Sequence, residues 1–339
     1  MPDLIIDKVI HELTAGQDIS SDNLVAILST EEVENLSRLF AAGDQKRKEM
    51  VGDVVLLRGI IEISNVCSQN CQYCGLRKDN RHVLRYRMPE EEIVSTAKKI
   101  AAARISTVVL QSGEDQLPVE HICTLIRRIK QETGLIVTLS LGDRTYDAFR
   151  CFREAGADRY LLKHETASKE LFEFLRPGSS FENRRQCLEW LKALGFETGA
   201  GNMIGLPGQS LCDLAADLLY LRAFQPDMIG IGPFIPHPDT PLRDAPSGSS
   251  AMTLKVVALA RLFVPRANIP ATTALGVLDK GGRTGALQAG ANVVMLDFTP
   301  EEYRRHYDIY PGKAQVVTEM DQYLVNLKDD LASLGRSVG

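Results

Sequence analysis

Residues 54–77 read VVLLRGIIEISNVCSQNCQYCGLR. The first half is a run of aliphatic and β-branched side chains too continuous for a half-buried strand, so it is read as a strand covered on both faces, as in a parallel α/β sheet. Cys67, Cys71 and Cys74 follow at once in a C-x3-C-x2-C arrangement, which hangs three thiols from the carboxyl end of that strand. Chemistry gathered where a parallel strand ends is the arrangement expected of an α/β barrel.

The same pattern recurs downstream. The runs TVVLQSG, LIVTLSLG, RYLLKHE, FETGAGNMIG, MIGIGPFI, NIPATTAL and NVVMLDF alternate with amphipathic stretches such as EEIVSTAKKIAAA and VEHICTLIRRIKQE. With the first run they make eight strands, and residues 51–313 are therefore expected to form an α/β fold of the (β/α)8 TIM-type barrel class. Residues 1–50 predict an N-terminal helical extension, in which Ser29 and Glu32 stand at capping-box spacing before Val33, Leu36, Leu39 and Phe40 on one apolar face. Residues 314–339 predict a C-terminal closing helix. Polar residues collect at the carboxyl ends of the strands: Gln111, Ser112, Glu114 and Asp115, then Ser140, Glu165 and Asn202, then His237, Thr272, Thr273 and Asp297 or Thr299. A purely structural barrel needs only apolar residues in its interior layers, so this pattern points to a working site on that face.

The bulk numbers narrow the class. In 339 residues, 44% hydrophobic and 24% charged side chains describe a globular chain with a large core. The net charge of -5 and the lack of a basic run beyond QKRKEM argue against a nucleic-acid partner. No apolar run is long enough to cross a bilayer, and the start MPDLIIDKVIHELTAG carries acidic residues where a leader would carry basic ones, so a cytoplasmic protein is expected. Seven cysteines, an odd number, favour metal or redox use of a subset over a disulfide framework. Cys123, Cys151, Cys187 and Cys212 fall inside predicted helices and are read as packing residues.

The loop of three thiols has a definite chemical meaning. A four-iron cluster has four corners, and electron-transfer clusters usually fill all of them with cysteine. With three ligands offered, one iron is left to chelate the amino and carboxylate groups of a methionine-like molecule. In S-adenosylmethionine that would bring the sulfonium to a reduced cluster, where one electron cleaves the carbon–sulfur bond and releases a 5′-deoxyadenosyl radical. A structural zinc site completed by His82 is the rival reading, although zinc prefers paired C-x2-C knuckles and four protein ligands.

Beyond the loop CSQNCQYCGLR, the strings LRYRMPEEEI, VLQSGED, RYLLKHETAS, LRPGSSFENR, ETGAGNMIGLPGQ, GIGPFIPHPDTPL, NIPATTALG and YPGK resemble the HydE family of FeFe-hydrogenase maturases within the radical S-adenosylmethionine superfamily. The resemblance implies one 4Fe-4S cluster on Cys67, Cys71 and Cys74, with S-adenosyl-L-methionine as cofactor. It also implies that Tyr73 contacts the adenine, that Gln111, Ser112, Thr138, Ser140, Glu165 and Met228 line the cofactor cavity, and that Arg184 pairs with the methionine carboxylate. Arg159, Thr272, Thr273 and Met295 would lie deeper, around the substrate, with Tyr307 near the nucleoside. The glycine-rich GAGNMIGLPG would let the backbone approach the cofactor closely. The reaction implied is attack of the adenosyl radical on a small organometallic iron–cysteine complex bearing carbon monoxide and cyanide, with transient contact to other hydrogenase maturases and neither nucleic acid nor membrane as partner. Lys163 stands where members often carry Arg, and the absence of cysteine after Cys212 leaves no ligands for the second cluster that some members hold. The alternative is a carbon-skeleton rearrangement like that of methylornithine synthase. Sulfur insertion of the biotin synthase kind is disfavoured, because none of the strand ends offers a further cysteine.

Overall fold

The computed structural model describes residues 2–313 and 320–339. Its sheet is wholly parallel and follows the chain: β1 (Val54–Ser64), β2 (Thr107–Ser112), β3 (Ile136–Ser140), β4 (Arg159–Leu161), β5 (Glu197–Ala200), β6 (Met203–Ile204), β7 (Met228–Ile229), β8 (Gly232–Pro233), β9 (Val293–Asp297) and β10 (Ser337–Val338). Pairing runs β9-β1-β2-β3-β4-β5-β7, with Glu62 opposite Gln111 and Ile60 opposite Asp297. The ring closes through bridges from Met228 to Asn268 and from Pro270 to Val293. NIPATTAL thus takes the seventh barrel position without forming a regular strand. Pro270 has no N–H to give to a ladder, and the helix Thr273–Leu278 begins directly behind it.

Two other runs break where the reading from sequence kept them whole. FETGAGNMIG divides into β5 and β6, and MIGIGPFI into β7 and β8; β6 and β8 pair only with each other, as a separate two-stranded sheet. The break falls at Gly201, whose φ of +157° and position against the carbonyl of Gly230, 2.1 Å from where a Cβ would stand, admit no side chain. Here glycine serves the approach of one backbone to another.

Helices cover the outside of the ring. Val119–Thr133 shows why: Ile122, Cys123, Leu125, Ile126 and Ile129 recur at helical spacing, are buried, and end at Gly134 in a left-handed cap. The extension forms three helices, Pro2–Thr14, Ser21–Ser29 and Val33–Val51, the last packed along Ser250–Phe263. The expected capping box is absent: Ser29 Oγ donates back to the Ala26 carbonyl (2.8 Å), Glu32 makes no capping bond, and Val33 is 78% exposed rather than on the buried face. Ser29 still belongs to the preceding helix, so its hydroxyl is committed there. Of the closing segment, 314–319 lie outside the described residues; Met320–Ser333 is helical, and β10 then pairs with Val54 and Val55 at the start of β1, an addition the sequence reading did not contain. Among the other cysteines Cys123 and Cys187 are buried as expected, but Cys212 is exposed.

Candidate active site

The loop that leaves β1 is held from several directions. Asn65 donates to the carbonyls of Leu84 (2.8 Å) and His306 (2.7 Å), and Arg85 spreads its guanidinium over the carbonyls of Asn65, Leu76 and Arg77 at 2.7–2.9 Å. Glycine allows two close approaches: a Cβ on Gly75 would stand 2.0 Å from the Asp308 carbonyl, and one on Gly113 would stand 2.3 Å from that of Val66. Neither Asn65 nor Arg85 was singled out from sequence. Their work is to satisfy loop carbonyls, which leaves no spacing signature.

Cys67, Cys71 and Cys74 share one buried environment, and burial raises all three thiols above their ordinary values, each further raised by at least one neighbouring thiol or by Glu114. Three thiols on one loop, each raised by its surroundings, suit a cluster bound through three corners, whose charge would turn them into thiolates. His82, the fourth ligand of the zinc reading, is mostly exposed and faces Asp239 at 3.0 Å.

Behind the loop lies a buried charge cluster. The Glu114 carboxylate accepts from Arg176 (2.5 Å) and Arg184 (2.8 Å), and its backbone carbonyl accepts from Ser68 in the cysteine loop. Burial alone would raise this carboxyl, but the two guanidinium groups hold it below the usual carboxylate range. Arg176 also donates to the Tyr73 hydroxyl (3.3 Å). Arg184 is engaged with Glu114, with Asp143 (2.9 Å) and with the Lys163 carbonyl (3.0 Å).

Inside the ring runs a cavity of about 320 Å³ that reaches up to Tyr73 and Cys74. Its wall includes Gln111, Thr138, Glu165 and Met228 from the expected cofactor set. Thr272, Thr273 and Met295 from the expected substrate set also line it. Glu165 sits at φ +68°, a strained setting for a residue with a side chain, kept by Glu165 N to Gly201 O (3.0 Å) and Met203 N to Glu165 O (3.1 Å). The remaining expected residues stand elsewhere. Ser112 Oγ turns to the Gly113 carbonyl (2.5 Å), and Ser140 ends β3 opposite Gln111. Tyr307 is buried behind Gln111. Arg159 opens β4 at the opposite, amino-terminal end, where its Nε donates to Glu197 (2.5 Å) and its Nη1 to Thr107 Oγ1 (3.1 Å).

Three buried polar atoms on this apolar wall have no hydrogen-bond partner among the described residues: Thr138 Oγ1, Thr272 Oγ1 and Arg58 Nη2. Arg58 was not picked from sequence, nor were Tyr310 and Lys313, which also line the cavity. Arg58 and Glu62 were nonetheless visible as charges inside an otherwise apolar strand.

The closed ring, the loop of three thiols at its mouth and the mostly apolar cavity beneath, with three unpaired polar atoms, define a radical S-adenosylmethionine enzyme, and residues 61–221 match the family model described as Radical SAM superfamily. The HydE subunit of the FeFe-hydrogenase maturase of Thermotoga maritima is 50% identical over 89% of this chain and 86% of its own length. A 3-methylornithine synthase of Methanosarcina acetivorans is 32% identical over 85% and 82%, and a crystal structure of methylornithine synthase superposes with a TM-score of 0.85 at 27% identity over 97% of each chain. The chain belongs to the HydE family of the radical S-adenosylmethionine superfamily. Enzymes of this superfamily use a 4Fe-4S cluster that, once reduced, supplies the electron for cleavage of S-adenosylmethionine to methionine and a 5′-deoxyadenosyl radical. No helix among the described residues is long and apolar enough to cross a membrane.

Proposed function

We propose that this enzyme acts in assembly of the di-iron centre of FeFe-hydrogenase, directing a 5′-deoxyadenosyl radical at the sulfur of an iron–cysteine complex that carries carbon monoxide and cyanide. Cys67, Cys71 and Cys74 hold the cluster. Tyr73, Gln111, Thr138, Glu165 and Met228 hold S-adenosylmethionine, with Ser112 and Ser140 shaping the strand ends and Arg184 orienting the methionine carboxylate through the Glu114 cluster. Thr272, Thr273 and Met295 meet the substrate and Tyr307 lies toward the nucleoside, while Arg159, committed to Glu197 and Thr107, would have to turn inward to reach the substrate. Contacts with other maturases, which would supply the complex and take the product, are transient.

The observation that carries this reading is the cavity itself. Its wall is mostly apolar, which suits a carbon radical that must be kept from water, yet Thr138, Thr272 and Arg58 leave polar atoms unpaired where a small ligand with several acceptor atoms would complete them. The test is anaerobic reconstitution with iron and sulfide, reduction by dithionite, and addition of S-adenosylmethionine with either a synthetic iron–cysteine carbonyl cyanide complex or lysine. The reading expects 5′-deoxyadenosyl transfer to the sulfur of the complex, a carbon–sulfur bond forming while the unpaired electron passes to the iron complex. A rearranged amino acid formed from lysine, with the iron complex left intact, would place the enzyme with the carbon-skeleton mutases instead.

A further inference from the structure

Lys313 stands apart from the residues assigned so far. It closes the YPGK motif, and its ammonium comes to rest on the cavity wall between two carboxylates. Glu62 of β1, fully buried, makes the closer ion pair, and Asp297 at the end of β9 stands 3.3 Å away. The face of the Tyr307 ring lies 5.0 Å from Nζ, and Tyr310 lines the cavity alongside. An ammonium carries three N–H groups. Two meet Glu62 and Asp297, and no third acceptor exists among the described residues.

We propose that Lys313 is a substrate-binding residue, fixed by Glu62 and Asp297 so that its remaining N–H meets a negatively charged acceptor on the ligand in the cavity. The assignment rests on the functional reading above, and it specifies which chemistry the wall of β1 and β9 recognises: a carboxylate or a metal-bound cyanide, both present on the iron–cysteine complex.

Charge balance supports the role. Two ionised carboxylates around one ammonium would leave this wall net negative and hostile to such a ligand. Burial, opposed by Lys313 and reinforced by Asp297, pushes the Glu62 carboxyl up to about 8, and its Oε2 is buried with no partner. Below about pH 8 the Glu62 carboxyl is held toward its protonated form and Lys313 keeps its charge, so the wall is less negative than two full carboxylates would make it. The other titratable groups facing Glu62 do not alter that balance: Arg304 favours the ionised form slightly, while burial keeps Tyr86 and Tyr307 neutral. Above about pH 8 Glu62 ionises, the wall gains a negative charge, and the affinity for an anionic acceptor declines.

Lys313→Met alone leaves two carboxylates facing each other and risks misfolding, so it is paired with Glu62→Gln, which removes one of them; Lys313→Arg tests retention of the charge. The probe is the synthetic iron–cysteine carbonyl cyanide complex, its retention measured by iron content and its C≡N stretch by infrared spectroscopy. The paired variant is expected to retain the complex about tenfold or more weakly, the scale of a hydrogen bond to a charged group, with partial recovery in Lys313→Arg. A C≡N band that also moves toward its position in free solution assigns the acceptor to cyanide, and weakened retention with an unmoved band assigns it to the cysteine carboxylate. Wild-type retention together with an unmoved band in the folded paired variant overturns the proposal. So does an equal loss of S-adenosylmethionine affinity, which would put Lys313 with the cofactor. Failure of the wild-type enzyme to retain the complex at all is a distinct result, and it removes the functional reading along with this one.

Discussion

Glu114→Gln separates the electrostatic support of the cysteine loop from its shape. The substitution is nearly isosteric and leaves in place the backbone carbonyl that accepts from Ser68, so packing is conserved. What it removes is the one carboxylate shared by Arg176 and Arg184, both at least 95% buried, leaving Arg176 with the Tyr73 hydroxyl and Arg184 with Asp143. Breaking a buried ion pair from one side costs about 3–5 kcal/mol, because the charge left behind is neither solvated nor paired. At about 2 °C per kcal/mol for a domain of this size, the midpoint of thermal unfolding should fall by about 6–10 °C. Differential scanning calorimetry measures this, and Glu114→Gln combined with Arg176→Met should recover part of the loss, since the pair is coupled. The pH profile carries an independent sign. The folded carboxyl ionises more readily than the unfolded one, so its stabilisation is present above the unfolded value of about 4.3 and is lost as pH falls through the lower folded value, a loss the Gln variant lacks. A midpoint within about 1 °C of wild type, or a double variant no better than the single one, would refute the charge cluster as a support of the loop.

Three further outcomes follow from other parts of the structure. Replacing Cys67, Cys71 and Cys74 together with Ala should abolish both iron incorporation and formation of 5′-deoxyadenosine, whereas Cys212→Ser, at an exposed thiol, should leave iron content as it is; iron analysis and chromatography of the nucleoside decide both. Gly201→Ala should destabilise the barrel by more than about 1 kcal/mol, read by chemical denaturation, because the new methyl would stand 2.1 Å from the Gly230 carbonyl at a φ of +157°. Glu62 titrates higher in the folded chain than in the unfolded one, so its contribution is present below about pH 4.3 and is lost as pH rises toward about 8; Glu62→Gln should flatten that slope in unfolding midpoints taken across the interval, and an unchanged slope would count against burial, beyond what Lys313 offsets, as the cause of the shift.

The parts of the fold that could be read from residues were those where local pattern and tertiary setting agree. VVLLRGIIEIS is apolar on both faces and is the longest strand; VEHICTLIRRIKQE has its buried residues at helical spacing and is a helix ending at a glycine cap. The misreadings came where backbone geometry overrode composition. NIPATTAL is apolar enough for a strand, but Pro270 limits it to bridges, and FETGAGNMIG is cut at Gly201 by an approach to Gly230, distant in sequence. β10 could not be seen at all, since two residues carry no periodicity and pair with β1 only after the chain has returned.

The site divides along a different line. Cys67, Cys71 and Cys74 could be found because their ligand role imposes residue type and spacing together, and of the polar residues gathered at strand ends Gln111, Glu165, Thr272 and Thr273 line the cavity, since inward-facing positions at the carboxyl ends of a barrel converge. Asn65, Arg85 and Arg176 bind carbonyls, carboxylates and a hydroxyl contributed by remote segments, and nothing in their own neighbourhood announces those partners. Arg58 and Glu62 fall between these cases. A charge within a strand buried on both faces must find either a counter-charge or a ligand, and the chain treats the two differently. Glu62 meets Lys313, while Arg58 has only the thioether of Met228 at 2.8 Å and a free Nη2. Burial and the neighbouring Arg159 push the Arg58 guanidinium down to about 10, so it remains charged at neutral pH with no carboxylate partner among the described residues. A cation left in that state inside an apolar chamber is costly to the empty protein, and an occupant with acceptor atoms at that depth would offset the cost.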